Sequence, residues 1–148
     1  LAMLAQIKSN DADVWKSLNK SKHIEGKPNE VLRNRLLKMR NWINSRHFPE
    51  AARINIQEKI TEENKNKINQ KQMLFLTELF SKFDLIEWNE GEINEIIRTT
   101  TSEIEINPRD AYIALYLVIL GSEYGPRIAS IMSEVGKEVI VNIFSKSL

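Results

Sequence analysis

The sequence predicts an all-α fold, a compact array of about seven helices around one buried central helix. Three observations carry this. Glycine and proline are scarce, five and four in 148 residues, which suits helices joined by short connections. Apolar residues recur at steps of three and four along most of the chain, with no convincing pair of alternating segments. Finally, every residue from Ala111 to Leu120 is apolar or aromatic. A helix that is apolar all round needs cover on every side, so this one is expected to form the axis of the fold. Its ten residues are too few to span a bilayer. The length and the hydrophobic fraction of 42% suit one domain over residues 1–148.

The elements follow in order. Leu1 to Lys8 carries neither an initiator methionine nor the charged start of a signal peptide. It reads as the last turns of a helix, and the chain is expected to be a fragment of a longer one. Asn10 is the expected cap of a helix over 11–22, with Val14, Trp15 and Leu18 turned inward. Gly26 and Pro28 mark a loop over 22–29. Over roughly 30–46 the inward stripe is Leu32, Leu36, Met39 and Ile43. On the same helix Arg35, Lys38 and Arg46 share another face with Val31 and Trp42, while Arg33 and Arg40 fall on a third. Phe48 and Pro49 end it, because the residue before a proline is pushed out of the α region.

Ile54 and Ile56 alternate with polar residues and suggest a short extended connector. Thr61 is the expected cap of the next helical region, with Glu62 and Glu63 favourable at its positive end. Its first turns are polar; Met73, Leu76, Leu79, Phe80 and Phe83 then give a wide apolar face. Asn89 and Glu92 form a capping-box variant before a helix burying Ile93, Ile96 and Ile97. Asn107 caps the central helix, and Pro108 fits its first position, where no amide donor is needed. Gly121 ends it through a left-handed conformation. Gly125 and Pro126 open another helix with Ile128, Ile131, Met132 and Val135 inward, and Gly136 stops it. Val139, Ile140, Ile143 and Phe144 form the inward stripe of the last helix.

The net charge of +1 conceals an asymmetry. Residues 1–57 hold 11 Lys and Arg against 5 Asp and Glu, residues 58–106 hold 6 against 11, and residues 107–148 hold 4 against 4. An anionic partner should therefore meet the first third, unless the two charged regions attract each other. The absence of cysteine excludes disulfides and thiolate metal sites and is compatible with a reducing cytosol. There is no phosphate-cradling glycine loop, no histidine pair at metal spacing and no cysteine nucleophile, so neither a catalytic nor a metal site is expected. His23 and His47 sit in or beside loops without evident partners, and Glu87, Glu90, Glu92 and Glu95 read as a solvated face. Trp42 among Arg and Lys has two readings: stacking on an unpaired base while the cations hold phosphates, or packing beneath another helix under arginine stems.

The order of several short strings resembles a family. Leu115-Tyr116-Leu117-Val118-Ile119-Leu120-Gly121-Ser122-Glu123-Tyr124-Gly125-Pro126-Arg127, followed by Val135-Gly136-Lys137-Glu138, resembles the C-terminus of class I lysyl-tRNA synthetases. Arg40-Asn41-Trp42, Phe48-Pro49-Glu50 and Asn107-Pro108-Arg109-Asp110-Ala111 agree with it, while residues 58–106 add little. Glutamyl-type synthetases share a similar Gly-Pro turn and Gly-Lys-Glu and are the nearest confounder. The resemblance implies a helical cage that holds the anticodon arm of a lysine tRNA in the cytoplasm, as part of an enzyme joining lysine to tRNA with ATP and magnesium. The family's His-Ile-Gly-His and Lys-Met-Ser-Lys-Ser motifs are absent, so this chain alone should be inactive, should bind no cofactor, and should adjoin an upstream catalytic domain. A helical protein-interaction module is the alternative from another class.

Under that resemblance Arg35, Lys38, Arg46 and Arg53 are the candidates for the RNA backbone and Trp42 for stacking. Four phosphate contacts would give a log–log salt slope of roughly −3, at about 0.7 per contact on single strands. The anticodon of a lysine tRNA is uridine-rich and stacks weakly, so hydrogen bonds must carry more of the selectivity. Tyr124 and Arg127, at a helix start with free amides, are candidates for phosphate or base contact. Arg127 has a structural alternative in pairing with Glu123 or capping carbonyls. For Tyr112 and Tyr116 core packing with a tethered hydroxyl is expected.

Overall fold

The computed structural model describes residues 1–49 and 52–148. These residues are all-α, with nine α-helices, a 3₁₀ turn and no strand. Seven of those helices run seven residues or more. Glu50, the acidic residue of the Pro-Glu pair, lies outside the described residues. Two compact units divide the chain, residues 1–54 and 55–148.

The first unit contains α1 (Ala2–Ile7), α2 (Asp11–Lys20) and α3 (Glu30–Ile43). Its core is Leu4, Ala5, Val14, Leu36, Ile43 and Phe48, flanked by Met3, Trp15, Leu18 and Met39. Asn10 caps α2 by accepting the Ala12 amide, and Asn29 caps α3 by accepting the Leu32 amide. Each satisfies one of the amides a helix start leaves unpaired. α3 stops at Ile43 rather than near residue 46. Arg53 explains how that end is held, because its guanidinium donates to the carbonyls of Ile43 (2.9 Å) and Ser45 (3.2 Å). Arg40 does the same for α1, donating to the carbonyls of Ala5 (3.0 Å) and Lys8 (2.9 Å), and it also pairs with Asp11 at 2.7 Å. Cations suit the negative end of a helix, and these arginines staple the unit's elements together.

The second unit begins with an extended stretch whose Gln57 amide donates to the Ile119 carbonyl. The single helical region expected from Thr61 is two helices, α4 (Glu62–Lys65) and α5 (Gln70–Ser81). The break has local causes. Asn64 is buried and donates to the Gly121 carbonyl at 3.2 Å, and Asn69 opens α5 with a full capping box involving Gln72. Gln72 also reaches the Asp110 carbonyl at 2.9 Å, tying α5 to the start of α7. A 3₁₀ turn (Phe83–Leu85) leads to α6 (Glu90–Ile104), where Asn89 accepts the Glu92 amide. α7 (Pro108–Ile119), α8 (Ile128–Val135) and α9 (Lys137–Ser147) complete the unit.

The expected central helix is α7, which contacts α4, α5, α8 and α9. Its cover is incomplete. Ala111, Ala114, Leu115, Leu117, Val118 and Ile119 are buried, but Ile113 and Tyr116 are half-buried and Tyr112 is exposed. Tyr112 is therefore not a core residue; spacing places it on the one open edge, which aromatic rings tolerate better than aliphatic chains. Tyr116 keeps the tethered hydroxyl, donating to the Pro126 carbonyl at 2.7 Å. Burial pushes its pKa up, the nearby Tyr112 adds to the rise, and a hydrogen bond from the Ile128 amide opposes it. Gly121 has φ +73° and ends the helix as expected. Gly136, at φ +102° and ψ 150°, divides α8 from α9 in a region open mainly to glycine. Phe75, Phe83 and Phe144 are fully buried, whereas Val139, expected inward, is exposed because α9 turns Ile140, Ile143 and Phe144 to the core instead.

Candidate nucleic-acid interface

The outward face of α3 follows from its inward one. With Leu36 and Ile43 buried, the positions four, three and four apart, Val31, Arg35, Lys38 and Trp42, line up on a different side. Val31, Arg35, Lys38 and Trp42 are all exposed, Trp42 at 47% of its surface. The packed-under-a-helix reading of Trp42 is thereby removed. The ring is nevertheless braced: Phe48 meets it in a T-shaped contact, centroids 4.9 Å apart and planes at 83°. Phe48 is itself buried, and Arg53 lies 5.0 Å from its ring centroid.

Leu1, Arg35, Lys38, Met39 and Trp42 line an open groove of about 340 Å³. Its walls are mostly carbon, and two of its five lining residues, Arg35 and Lys38, are cationic. Neither Arg35 nor Lys38 forms an ion pair among the described residues. Arg46 is also exposed, on the turn after α3, and is outside the groove lining. Arg53 is placed differently from the other candidates, with its guanidinium turned to carbonyls and to Phe48 inside the unit. Phe48 and Met39 are contributions to this face that sequence reading missed. Phe48 served there only as a helix stop before proline, and Met39 only as core.

Tyr124 and Arg127 belong to the second unit, in the turn between α7 and α8. Tyr124 is 71% exposed, and its carbonyl accepts the Ser122 hydroxyl. Arg127 stands at the N-terminal boundary of α8 without capping it by its side chain, and pairs with Glu90 at 3.3 Å rather than with Glu123. Gly125 is fitted to this turn, since a Cβ there would come within 2.8 Å of Leu120 Cδ1. The charge division follows the units: residues 1–54 hold 11 Lys and Arg against 5 Asp and Glu, leaving 10 against 15 for residues 55–148. No group of three or more His, Cys, Asp or Glu side chains among the described residues could hold a metal, and no described helix is long and apolar enough to cross a membrane.

A family model described as an anticodon binding domain matches residues 6–142. The chain belongs to that family. Its relatives bear out the resemblance to class I lysyl-tRNA synthetases read from the Leu-Gly, Gly-Pro-Arg and Gly-Lys-Glu strings. The lysine–tRNA ligase of Methanocaldococcus jannaschii is 32% identical over 114 residues, covering 77% of this chain and 21% of that protein. The lysine–tRNA ligase of Picrophilus torridus is 24% identical over 148 residues, covering 100% of this chain and 28% of that protein. That of Methanopyrus kandleri is 29% identical over 126 residues, covering 80% and 22%. The chain thus spans well under a third of each of these relatives.

Proposed function

We propose that this anticodon-binding domain grips the anticodon arm of a lysine tRNA, and that α3 supplies the main contact. The observation carrying the proposal is the exposed indole of Trp42 beside two cations that form no ion pair among the described residues, in the unit that holds the positive surplus. An anticodon loop offers unstacked bases on a tightly curved phosphate backbone, and proteins hold such loops by stacking, base-edge hydrogen bonds and phosphate contacts. Arg35, Lys38 and Arg46 are proposed for the phosphates and Trp42 for stacking. Arg53 supports them from within, because its donors are already directed at carbonyls. Tyr124 and Arg127 remain candidates for a contact made by the second unit.

The choice of lysine tRNA rests on the names of the relatives. Within the same reading, the parent protein is a cytoplasmic lysine–tRNA ligase in which a separate upstream catalytic domain uses ATP and magnesium. The 148-residue chain then supplies binding and positioning and does no chemistry alone. Fluorescence anisotropy with a lysine anticodon stem-loop tests the proposal. Three phosphate contacts predict a log–log salt slope of about −2, from about 0.7 per contact, and tighter binding than to a stem-loop with a swapped anticodon. Salt-independent binding would sink the α3 contact, and equal affinity for both loops would sink the lysine specificity.

A further inference from the structure

We infer that the Trp42 groove takes up one unpaired nucleobase without reading its identity, so that this subsite selects for an open loop and leaves the choice of anticodon to contacts elsewhere. The inference rests on the anticodon-arm reading above and adds what one part of the site does.

Shape and chemistry both lead there. A groove of about 340 Å³ bounded by Leu1, Met39, Trp42 and the stems of Arg35 and Lys38 has room for a planar base and part of its sugar. Telling one base from another needs donors and acceptors matched to its edge, and in single-stranded RNA those lie on the Watson–Crick and Hoogsteen sides. Apart from the Trp42 indole N–H and the two cationic heads, which are assigned to the flanking phosphates, this lining offers carbon surfaces, with no side-chain oxygen acceptor: no amide, hydroxyl or carboxylate stands among its residues. Every base has a π face, so an aromatic platform of this kind is tolerant of sequence. A paired base has both faces occupied by its neighbours in the stack and cannot enter without being pulled out.

Two further features favour a nucleotide over an apolar protein segment. Lys38 and Arg35 stand about one and about two turns from Trp42 on the same side of α3, with no ion pair among the described residues, and can meet the phosphates flanking a stacked base. The platform is also held in place before any ligand arrives. Phe48 braces the Trp42 ring at 4.9 Å, Arg53 covers Phe48 at 5.0 Å, and Arg53 is anchored on the Ile43 and Ser45 carbonyls. A braced ring loses little rotamer freedom on binding.

The test measures the 148-residue chain and its Trp42→Ala and Trp42→Phe variants against three RNAs: the lysine anticodon stem-loop, the same stem with a swapped anticodon, and a blunt duplex. Trp42→Ala should weaken both stem-loops by the same factor, about 5- to 150-fold for the loss of one stacked base. The ratio between the two loops and the salt slope should not change. Trp42→Phe keeps a ring and should restore most of the affinity, which separates lost stacking from a disturbed fold; the duplex should be indifferent to either change. A Trp42→Ala variant that binds as tightly as the parent overturns the inference while leaving anticodon-arm binding intact. One that abolishes the preference between loops shows the groove to be a reading site and overturns it too. If none of the RNAs binds, and a leucine-rich helical peptide quenches Trp42 instead, the groove is a protein-docking face and the function proposed above fails with it.

Discussion

Residues 1–54 bury a cluster of six apolar side chains among the described residues and carry the positive surplus; residues 55–148 bury most of the large aromatics and carry the negative one. The small core of the first unit is reinforced by polar staples, with Arg40 reaching back to α1 and Arg53 closing the end of α3. Some of the positive charge that suggested an RNA partner is therefore structural. A count of basic residues overstates how many cations are turned outward; under the proposed function those on the outer side of α3 are the relevant ones. In the second unit packing does the holding, and exposed groups such as Tyr124 and Arg127 can change with little effect on the fold.

Substitutions that attack each unit by its own means should expose this difference. The largest effect is expected from Phe144→Ala, since Phe144 is fully buried and packs against both Phe80 and Phe83. A loss of about 3–5 kcal/mol should appear in denaturant unfolding, with no change in RNA affinity while the protein stays folded. Arg40→Ala removes a partly buried clamp and should destabilise the first unit by about 2 kcal/mol. Hydrogen exchange should then rise in α1 and the start of α2 and remain unaltered in α7. Equal exchange in both units would contradict the division.

Tyr116→Phe is a smaller lesion with a pH signature. Because the native pKa of Tyr116 is raised, mainly by burial, folding favours the neutral hydroxyl. The stabilisation is complete below the ordinary tyrosine value of about 10 and is lost as pH climbs above it toward the raised native value. The variant should lose about 1 kcal/mol at neutral pH through the missing Pro126 bond and should show a shallower decline on the alkaline side than the parent. The smallest effect is expected for Arg127→Ala. Its pair with Glu90 is solvent-exposed, so the melting temperature should barely move, the change in stability staying within about 0.5 kcal/mol. A large drop would assign Arg127 to the fold rather than to a ligand.

Features governed by neighbouring residues were legible in the sequence. The Asn10, Thr61, Asn89 and Asn107 caps, the Gly121 stop and the apolar stripe of α8 depend on spacing within a few positions. The open edge at Tyr112 was not, because periodicity shows that a helix is apolar and not which neighbours cover it. Nor was the break between α4 and α5, which rests partly on an Asn64 bond to a carbonyl 57 residues away. The same limit hid the arginine staples. Arg40 and Arg53 look like Arg35 and Arg46 in a charge count, and only partners 29 to 35 residues distant separate Arg40 from them. At α3 the helix period grouped Arg35, Lys38 and Trp42 correctly, yet the burial of Trp42 depended on tertiary contacts that spacing does not encode.

The salt dependence of binding to the lysine anticodon stem-loop, compared between the Arg35→Ala/Lys38→Ala/Arg46→Ala triple variant and Arg53→Ala, bears most directly on the claim that the outer face of α3 grips RNA. The triple variant should flatten the log–log slope by about 2, at about 0.7 per phosphate contact. Arg53→Ala should lower affinity through Phe48 and Trp42 while leaving the slope as it was. A slope untouched by the triple variant, or flattened by Arg53→Ala instead, would contradict the account.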